Sequence, residues 1–314
     1  MSTYLVTGAA GFIGSNIVEE LVARGANVRA LDNLSTGKLS NLAPFMDRID
    51  FIEGDLNDSA LLSRIVRGVD YILHQGALPS VPRSISDPLQ SHESNATGTL
   101  RLLIAARDGG VKRVVYASSS SVYGNSPTLP KREDMPTQPL SPYAVNKLAA
   151  EEYCRVFTRV YGLSAVALRY FNVFGPRQDP NSQYAAVIPA FISSVLGGEQ
   201  PTIYGDGTQT RDFTYVKNVV LANLLACETD AADGEAVNIA CSERTSLLDL
   251  IGEINGILGT DVQPRFQAAR TGDVKHSLAD ISKATRLLGY VPAVSFRKGL
   301  ATTVRSLQAG ASES

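Results

Sequence analysis

Residues 3 to 24 constrain the fold more than any other stretch of this chain. An apolar segment, residues 3–7, runs directly into Gly8-Ala9-Ala10-Gly11-Phe12-Ile13-Gly14, and an apolar-periodic segment continues to residue 24. This order predicts a buried strand, a tight glycine turn and a helix packed back on the strand, because glycine permits both the turn and the close backbone approach. The helix N-terminus then offers N–H groups and the positive end of its dipole to an anion. Gly8, Gly11, Phe12, Ile13 and Gly14 are therefore expected to hold a dinucleotide pyrophosphate. The glycine triplet carries little alone; the strand before it and the helix after it favour this reading over a plain turn.

The next segments repeat the alternation. A second strand, residues 27–31, ends at Asp32, whose carboxylate can accept hydrogen bonds from a ribose diol and would repel a 2′-phosphate. NAD is expected rather than NADP. Further apolar strands at 49–52, 69–73, 114–117 and 165–169 are interleaved with helical patterns at 58–67 and 89–107. Such alternation specifies an α/β fold, a Rossmann-type doubly wound parallel sheet with ligands at the carboxyl ends of its strands. Asp55 and Leu56, placed to meet an adenine, fall at such an end, as do Ala77 and the run from Ser118 to Ser121.

Residues 118–147 carry the second constellation. Ser141 suits an N-cap and Pro142 the first helical position, so a helix is predicted to start there with Tyr143 and Lys147 on one face. That sets a phenol beside a cation. Tyrosine ordinarily ionises at a pH of about 10, and a positive charge nearby favours the phenolate. One charge about 6 Å away at an effective dielectric of about 20 contributes about 2.8 kcal/mol. A second positive group, such as an oxidised nicotinamide, is needed to bring the phenol near neutrality.

Bulk properties exclude other classes. A formal charge of -2, from 29 basic and 31 acidic residues, gives no electrostatic case for nucleic acid or a membrane surface. Cys154, Cys227 and Cys241 are scattered and suit free thiols in a reducing cytoplasm. His74, His92 and His276 lack metal-ligand spacing, and no apolar run reaches membrane-spanning length, so neither a metal nor a membrane is expected. Beyond the sixth strand, residues 172–182 read as a long loop before a helix at 186–196, helices follow at 216–227, 247–258 and 281–288, strands at 236–240 and 262–266, and residues 309–314 as a frayed tail.

Taken together, Gly8-x-x-Gly11-x-x-Gly14, Asp32, Gly54-Asp55-Leu56, the serine run with Val122-Tyr123-Gly124, and Tyr143-x-x-x-Lys147 stand in the order of the extended short-chain dehydrogenase/reductase family. Within it the chain resembles the nucleotide-sugar 4-epimerases, through Arg169-Tyr170-Phe171-Asn172, Tyr204-Gly205-Asp206-Gly207, Arg211-Asp212-Phe213 and Gly272-Asp273-Val274. The resemblance implies an NAD-binding domain at 1–171, to which segments near 213–240 return, and a smaller C-terminal α/β domain, 172–314, that is mainly for a UDP-sugar. It also implies tightly bound NAD, a homodimer formed through the helices near 89–107 and 144–160, and Asn33, Ser35, Thr36, Gly37, Gln75, Asn95, Ser118 and Tyr170 as further cofactor contacts. Tyr143 would take the proton from the sugar 4-hydroxyl as hydride leaves C4. Ser119 would bond the same oxygen, Lys147 would hold the nicotinamide ribose, and a 4-keto sugar would turn over before reduction.

The stretches around residues 76–84 and 272–280 look like bacterial UDP-N-acetylglucosamine 4-epimerases. Arg211 and Arg270 would hold the diphosphate and Asp273 the uridine ribose, with Tyr204 against the uracil and Asn172 at the diphosphate or sugar. Ser80, Val81, Arg83, Ser84, Ser119, Ser120, Ala186 and Val187 complete the expected substrate set. Epimerases restricted to UDP-glucose and UDP-galactose carry a bulky tyrosine where this chain has Ser277, which would leave room for a 2-acetamido group. The alternatives are a UDP-glucuronate 4-epimerase, which can share the Ser-Ser-Ser-Val-Tyr-Gly run, and a non-catalytic dinucleotide sensor. Related dehydratases and decarboxylases place carboxylates where Ser120 and Ser121 stand, and rank low.

Overall fold

A computed structural model describes residues 1–180, 186–268 and 275–312 of the chain. The first half runs β1 (Thr3–Thr7), α1 (Phe12–Ala23), β2 (Asn27–Asp32), β3 (Asp50–Glu53), α2 (Ser59–Ile65), β4 (Tyr71–His74), α3 (Val81–Ser86), α4 (Pro88–His92), α5 (Gly98–Asp108), β5 (Arg113–Ser119), α6 (Pro142–Tyr161) and β6 (Ser164–Tyr170). Then come β7 (Val173–Phe174), α7 (Val187–Leu196), β8 (Thr202–Tyr204), β9 (Thr210–Arg211), β10 (Thr214–Tyr215), α8 (Val216–Glu228), β11 (Ala236–Ile239), β12 (Thr245–Ser246), α9 (Leu247–Leu258), β13 (Arg265–Gln267), α10 (Ser282–Leu288) and α11 (Phe296–Ser312).

Seven parallel strands form the central sheet in the order β11-β6-β5-β4-β1-β2-β3. The order reverses between β1 and β4, and such a switch point opens a crevice beyond the strand ends. Ile17, Val18 and Leu21 of α1 pack with Val219 and Val220 of α8 in one core cluster. Leu62, Leu102, Ala150 and Phe157, from α2, α5 and α6, pack in another. A third core gathers Phe174, Phe191, Ile203, Phe213, Leu250, Phe296 and Leu300 from the later elements.

Local signals explain the ends of the helices. At α6 the Ser141 side chain accepts from the Ala144 N–H, Pro142 follows, and Gly162 closes the helix with a left-handed backbone. Ser246 and Asp249 form a reciprocal capping box at α9. The helix expected at 89–107 is interrupted: α4 passes through a π-turn, Glu93–Thr97, into α5, and such turns often mark functional positions. One expectation needs correction at the C-terminus, and one helix there was not expected. The tail from residue 309 continues α11 to Ser312, and α11 itself has no counterpart in the sequence reading, although Phe296, Leu300 and Val304 recur at helical spacing and are buried.

Behind the Tyr143 helix lies a buried ion pair. Arg169 of β6 donates through Nε to Glu151 Oε2 at 3.0 Å and through Nη2 to Oε1, while Ser118 Oγ reaches the same carboxylate at 2.9 Å. The remaining guanidinium nitrogen, Nη1, meets the Tyr123 hydroxyl at 2.9 Å, which donates to Asn238 of β11 at 2.7 Å. Four elements are thereby fixed in rotation and height. Arg169→Met strands the Glu151 charge and is expected to cost about 3–5 kcal/mol of unfolding free energy in urea; a loss below about 1 kcal/mol would reduce this pair to the worth of a surface one.

Candidate active site

A cavity of about 630 Å³ opens at the carboxyl ends of the strands. Gly8, Gly11, Phe12, Ile13 and Gly14 line it from the β1 turn; Asp32, Asn33, Ser35 and Thr36 follow β2; Asp55 and Leu56 follow β3; Gln75 and Ala77 follow β4. Ser118, Tyr143, Lys147 and Tyr170 line it too, and so do three expected substrate residues, Ser80, Arg83 and Ala186. The glycines leave no space to spare. A Cβ on Gly14 would stand 2.1 Å from the Gly8 carbonyl oxygen, and one on Gly8, whose φ is +64°, 2.7 Å from the Gly76 nitrogen. Helix α1 begins at Gly11 with no side-chain cap, so its first N–H groups are left to a ligand.

Asp32 forms an acceptor at the cavity wall. Its Oδ2 accepts from the Ala10 N–H at 2.9 Å and its Oδ1 from the Leu34 N–H at 2.8 Å. Burial raises its carboxyl above the ordinary range, opposed by the N–H donors of Leu34, Ala10 and Gly11. A carboxylate has acceptor capacity beyond these bonds. Glycine at 37 is explained by the same group, since a Cβ there would come within 2.9 Å of both Asp32 oxygens.

Gly37 and Asn95, both expected at the cofactor, do not line the cavity. Gly37 underpins Asp32. Asn95 sits in the π-turn with its amide spent on Leu78, accepting from its N–H at 2.6 Å and donating to its carbonyl at 3.0 Å. Ser119 is also off the wall, yet its hydroxyl shares a hydrogen bond with the Tyr143 hydroxyl.

Val81, Ser84, Ser120 and Val187 are likewise not among the lining residues; Ser84 is buried and donates to the Val81 carbonyl at 2.7 Å. Asn172, Arg211 and Ser277 come together in a separate patch. Asn172 donates to Ser277 Oγ and to the Asp212 carbonyl, each at 3.0 Å, and Arg211 donates to the Lys275 carbonyl at 3.1 Å. Tyr204, at the end of β8, is tied in through Gln209, which donates to its carbonyl at 2.7 Å. Arg270 and Asp273 lie outside the described residues. Lys38, Asn41, Ser94, Arg177, Gln178 and Asp179 line the main cavity without having been expected. The signal for the last three was a charged run in a loop directly beyond a sheet strand.

Tyr143 and Lys147 are governed by burial. Lys147 Nζ donates to the Ala117 carbonyl at 2.8 Å and stands 5.8 Å from the centroid of the Tyr143 ring. Desolvation pushes the Tyr143 phenol up to about 12, opposed by its bond to Ser119, and pushes the Lys147 ammonium down to about 7. Both effects favour the neutral forms. In the protein alone the ammonium at position 147 is thus itself disfavoured, and the phenol beside it stays above its ordinary value. Among the described residues no group of three or more His, Cys, Asp or Glu is placed to hold a metal ion.

The model of the NAD dependent epimerase/dehydratase family matches residues 4–240. A UDP-glucose 4-epimerase of Mycolicibacterium smegmatis is 40% identical over 304 residues, covering 96% of each chain. Among solved structures, the UDP-N-acetylglucosamine 4-epimerase from Methanobrevibacter ruminantium M1 in complex with UDP-N-acetylmuramic acid has a TM-score of 0.94 and 43% identity, covering 98% of this chain and 99% of that one. The UDP-glucose 4-epimerase of Thermotoga maritima with UDP-glucose gives 0.93 and 38%, with the same coverage.

The buried lysine generates a measurable pH dependence. Between about 7 and its ordinary value of 10.5 the unfolded chain holds a proton on Lys147 that the folded chain has lost, so stability rises with pH across that window. Relative to a Lys147→Met variant, the nucleotide-free parent is expected to gain stability from pH 7 to 10 in urea titrations followed by circular dichroism. A constant difference between the two proteins across that range would contradict the assignment.

Proposed function

The chain belongs to the NAD dependent epimerase/dehydratase family, and from that membership we propose that it interconverts UDP-N-acetylglucosamine and UDP-N-acetylgalactosamine, and UDP-glucose and UDP-galactose beside them. It is a UDP-sugar 4-epimerase, an isomerase, with NAD as its cofactor. The residues present fit that cofactor: the glycine turn admits no Cβ, the uncapped helix start faces the same cavity, and Asp32 offers acceptors there.

NAD supplies a reversible hydride acceptor. The chain's own residues manage the proton and the orientation. Tyr143 takes the proton of the sugar 4-hydroxyl as the C4–H bond breaks and returns it after the 4-keto sugar has presented its other face. Ser119, already bonded to the Tyr143 hydroxyl, holds the same oxygen, and Lys147 is fixed beside the ring by the Ala117 carbonyl. Tyr143→Phe is expected to slow turnover by about 10²–10⁴.

The observation that carries the choice of sugar is Ser277, whose small side chain accepts a hydrogen bond from Asn172 in the patch with Arg211. The 43% identity to an enzyme named for UDP-N-acetylglucosamine supports the same choice. A panel of UDP-N-acetylglucosamine, UDP-glucose and UDP-glucuronate, without added cofactor, tests it. Turnover of the first is expected, and Ser277→Tyr should lose it while keeping UDP-glucose; turnover of UDP-glucuronate alone would replace this reading with the uronate one. A dinucleotide sensor would turn over none of the three, and the assembly of Ser119, Tyr143 and Lys147 speaks against it.

Division into an NAD part, 1–171 with a return near 213–240, and a UDP-sugar part is consistent with β11 joining the central sheet. A cytoplasmic location suits the three free cysteines. The homodimer is supported by Ile104 on α5 and by Val156, Val160 and Tyr161 on α6, all exposed. Val156→Glu with Val160→Glu should yield a monomer in sedimentation; an unchanged assembly would move the interface elsewhere.

A further inference from the structure

Residues 175–179 form a short strap beyond β7 that the proposed chemistry leaves without a task. Arg177 holds a left-handed backbone, φ +69°, a conformation that L side chains adopt at a cost and that clusters at functional positions. Among the described residues, five buried side-chain polar atoms lack a partner, and two of them, Arg177 Nε and Gln178 Oε1, are on neighbouring residues of this strap. Both residues line the main cavity. An orphaned guanidinium N–H and an orphaned amide oxygen, buried within two residues of one cavity wall, are polar capacity that the fold itself does not use.

Charge agrees with this. Arg177 donates to Glu19 of α1 at 2.8 Å, and Lys217 reaches the same carboxylate oxygen at 3.0 Å. One carboxylate faces two cations, which leaves a positive charge in excess. Burial opposes ionisation of Glu19, but the bonds from Arg177 and Lys217 hold it below the usual carboxylate range, so the cluster stays charged. The strap is also held at both ends. Asn16 of α1 donates to the Pro176 carbonyl at 3.1 Å, and Asp179 pairs with Lys38 of the loop after β2 at 3.1 Å. It therefore joins the helix whose first turn lines the cavity to the loop that follows Asp32, with Lys38 and Asp179 themselves in the cavity wall.

We propose that residues 175–179 are a cofactor-retaining clasp: Arg177 gives its guanidinium and its excess charge to the diphosphate of NAD, and the Lys38–Asp179 pair fastens the strap at the cavity rim. A dinucleotide diphosphate carries a negative charge on each phosphate, which a planar guanidinium suits. An epimerase must return the hydride it has taken, so the same cofactor molecule has to stay through both half-reactions. Retention is what such a clasp provides. The inference rests on NAD as cofactor and is independent of which sugar is turned over.

The test uses the purified holoenzyme, freed of unbound nucleotide by gel filtration, with the release of bound NAD followed over time and no UDP-sugar present. Arg177→Asn tolerates the left-handed backbone while removing the guanidinium, and Arg177→Lys keeps the charge. Release from Arg177→Asn is expected to be about tenfold faster, about 1.4 kcal/mol, with Arg177→Lys between it and the parent and the melting temperature of the nucleotide-free protein unchanged. Lys38→Asp and Asp179→Lys should each speed release, and the double exchange should restore it. Unchanged release from Arg177→Asn, or faster release accompanied by a lower nucleotide-free melting temperature, overturns the diphosphate role. Failure of the double exchange to restore retention overturns the latch. A wrong choice of sugar would leave every one of these readings in place.

Discussion

The contact between the Gly8 carbonyl and the backbone of Gly14 sets the geometry on which the rest of the molecule depends. With no Cβ on either residue, α1 starts directly against the end of β1. That closeness brings the uncapped first turn of α1 to the edge of the sheet, and it lets Ala10 and the residues beside it reach the Asp32 carboxylate. The strand order then supplies the crevice, because β1 and β4 send their connections to opposite sides. Side chains at the other strand ends converge on the same opening without special devices.

Around Tyr143 and Lys147 the protein favours neutrality. Burial drives Tyr143 and Lys147 in opposite directions on the pH scale, and both moves remove charge. A phenol held in this way has little basicity in the protein alone. The ion pair of Arg169 with Glu151 is buried behind α6 and does not line the cavity. It fixes the helix that carries Tyr143 while adding no net charge.

Residues that act through backbone geometry were legible in the sequence. Glycine spacing, alternation of strands and helices, and the Ser141-Pro142 start of α6 each follow from local rules, and the structure places those elements in that order, with the helix expected at 89–107 broken by a π-turn. What stayed hidden depends on partners distant in sequence. Asn95 reads as a cofactor contact in the sequence, whereas its amide bonds to Leu78 in the structure, and the π-turn that aims it leaves no mark in composition. Lys38 and Asp179 are ordinary surface charges in the sequence and become neighbours only when the loop after β2 meets the strap after β7. Helix α11 was legible in principle, since Phe296, Leu300 and Val304 recur at regular spacing, but the core they fill is assembled from α7, α9 and other late segments.

The place of β11 bears on how the chain reaches this state during synthesis. Strand β6 lies between β5 and β11, yet β11 follows β7 through β10, α7 and α8. Until the ribosome has delivered that whole excursion, one edge of a nearly complete parallel sheet stands open with its ladder of amides and carbonyls unsatisfied, the kind of edge that recruits other chains. The long return makes the pairing slow, because its loop must close before any contact rewards it. Late assembly of this edge leaves its unpaired backbone groups open until the excursion is complete.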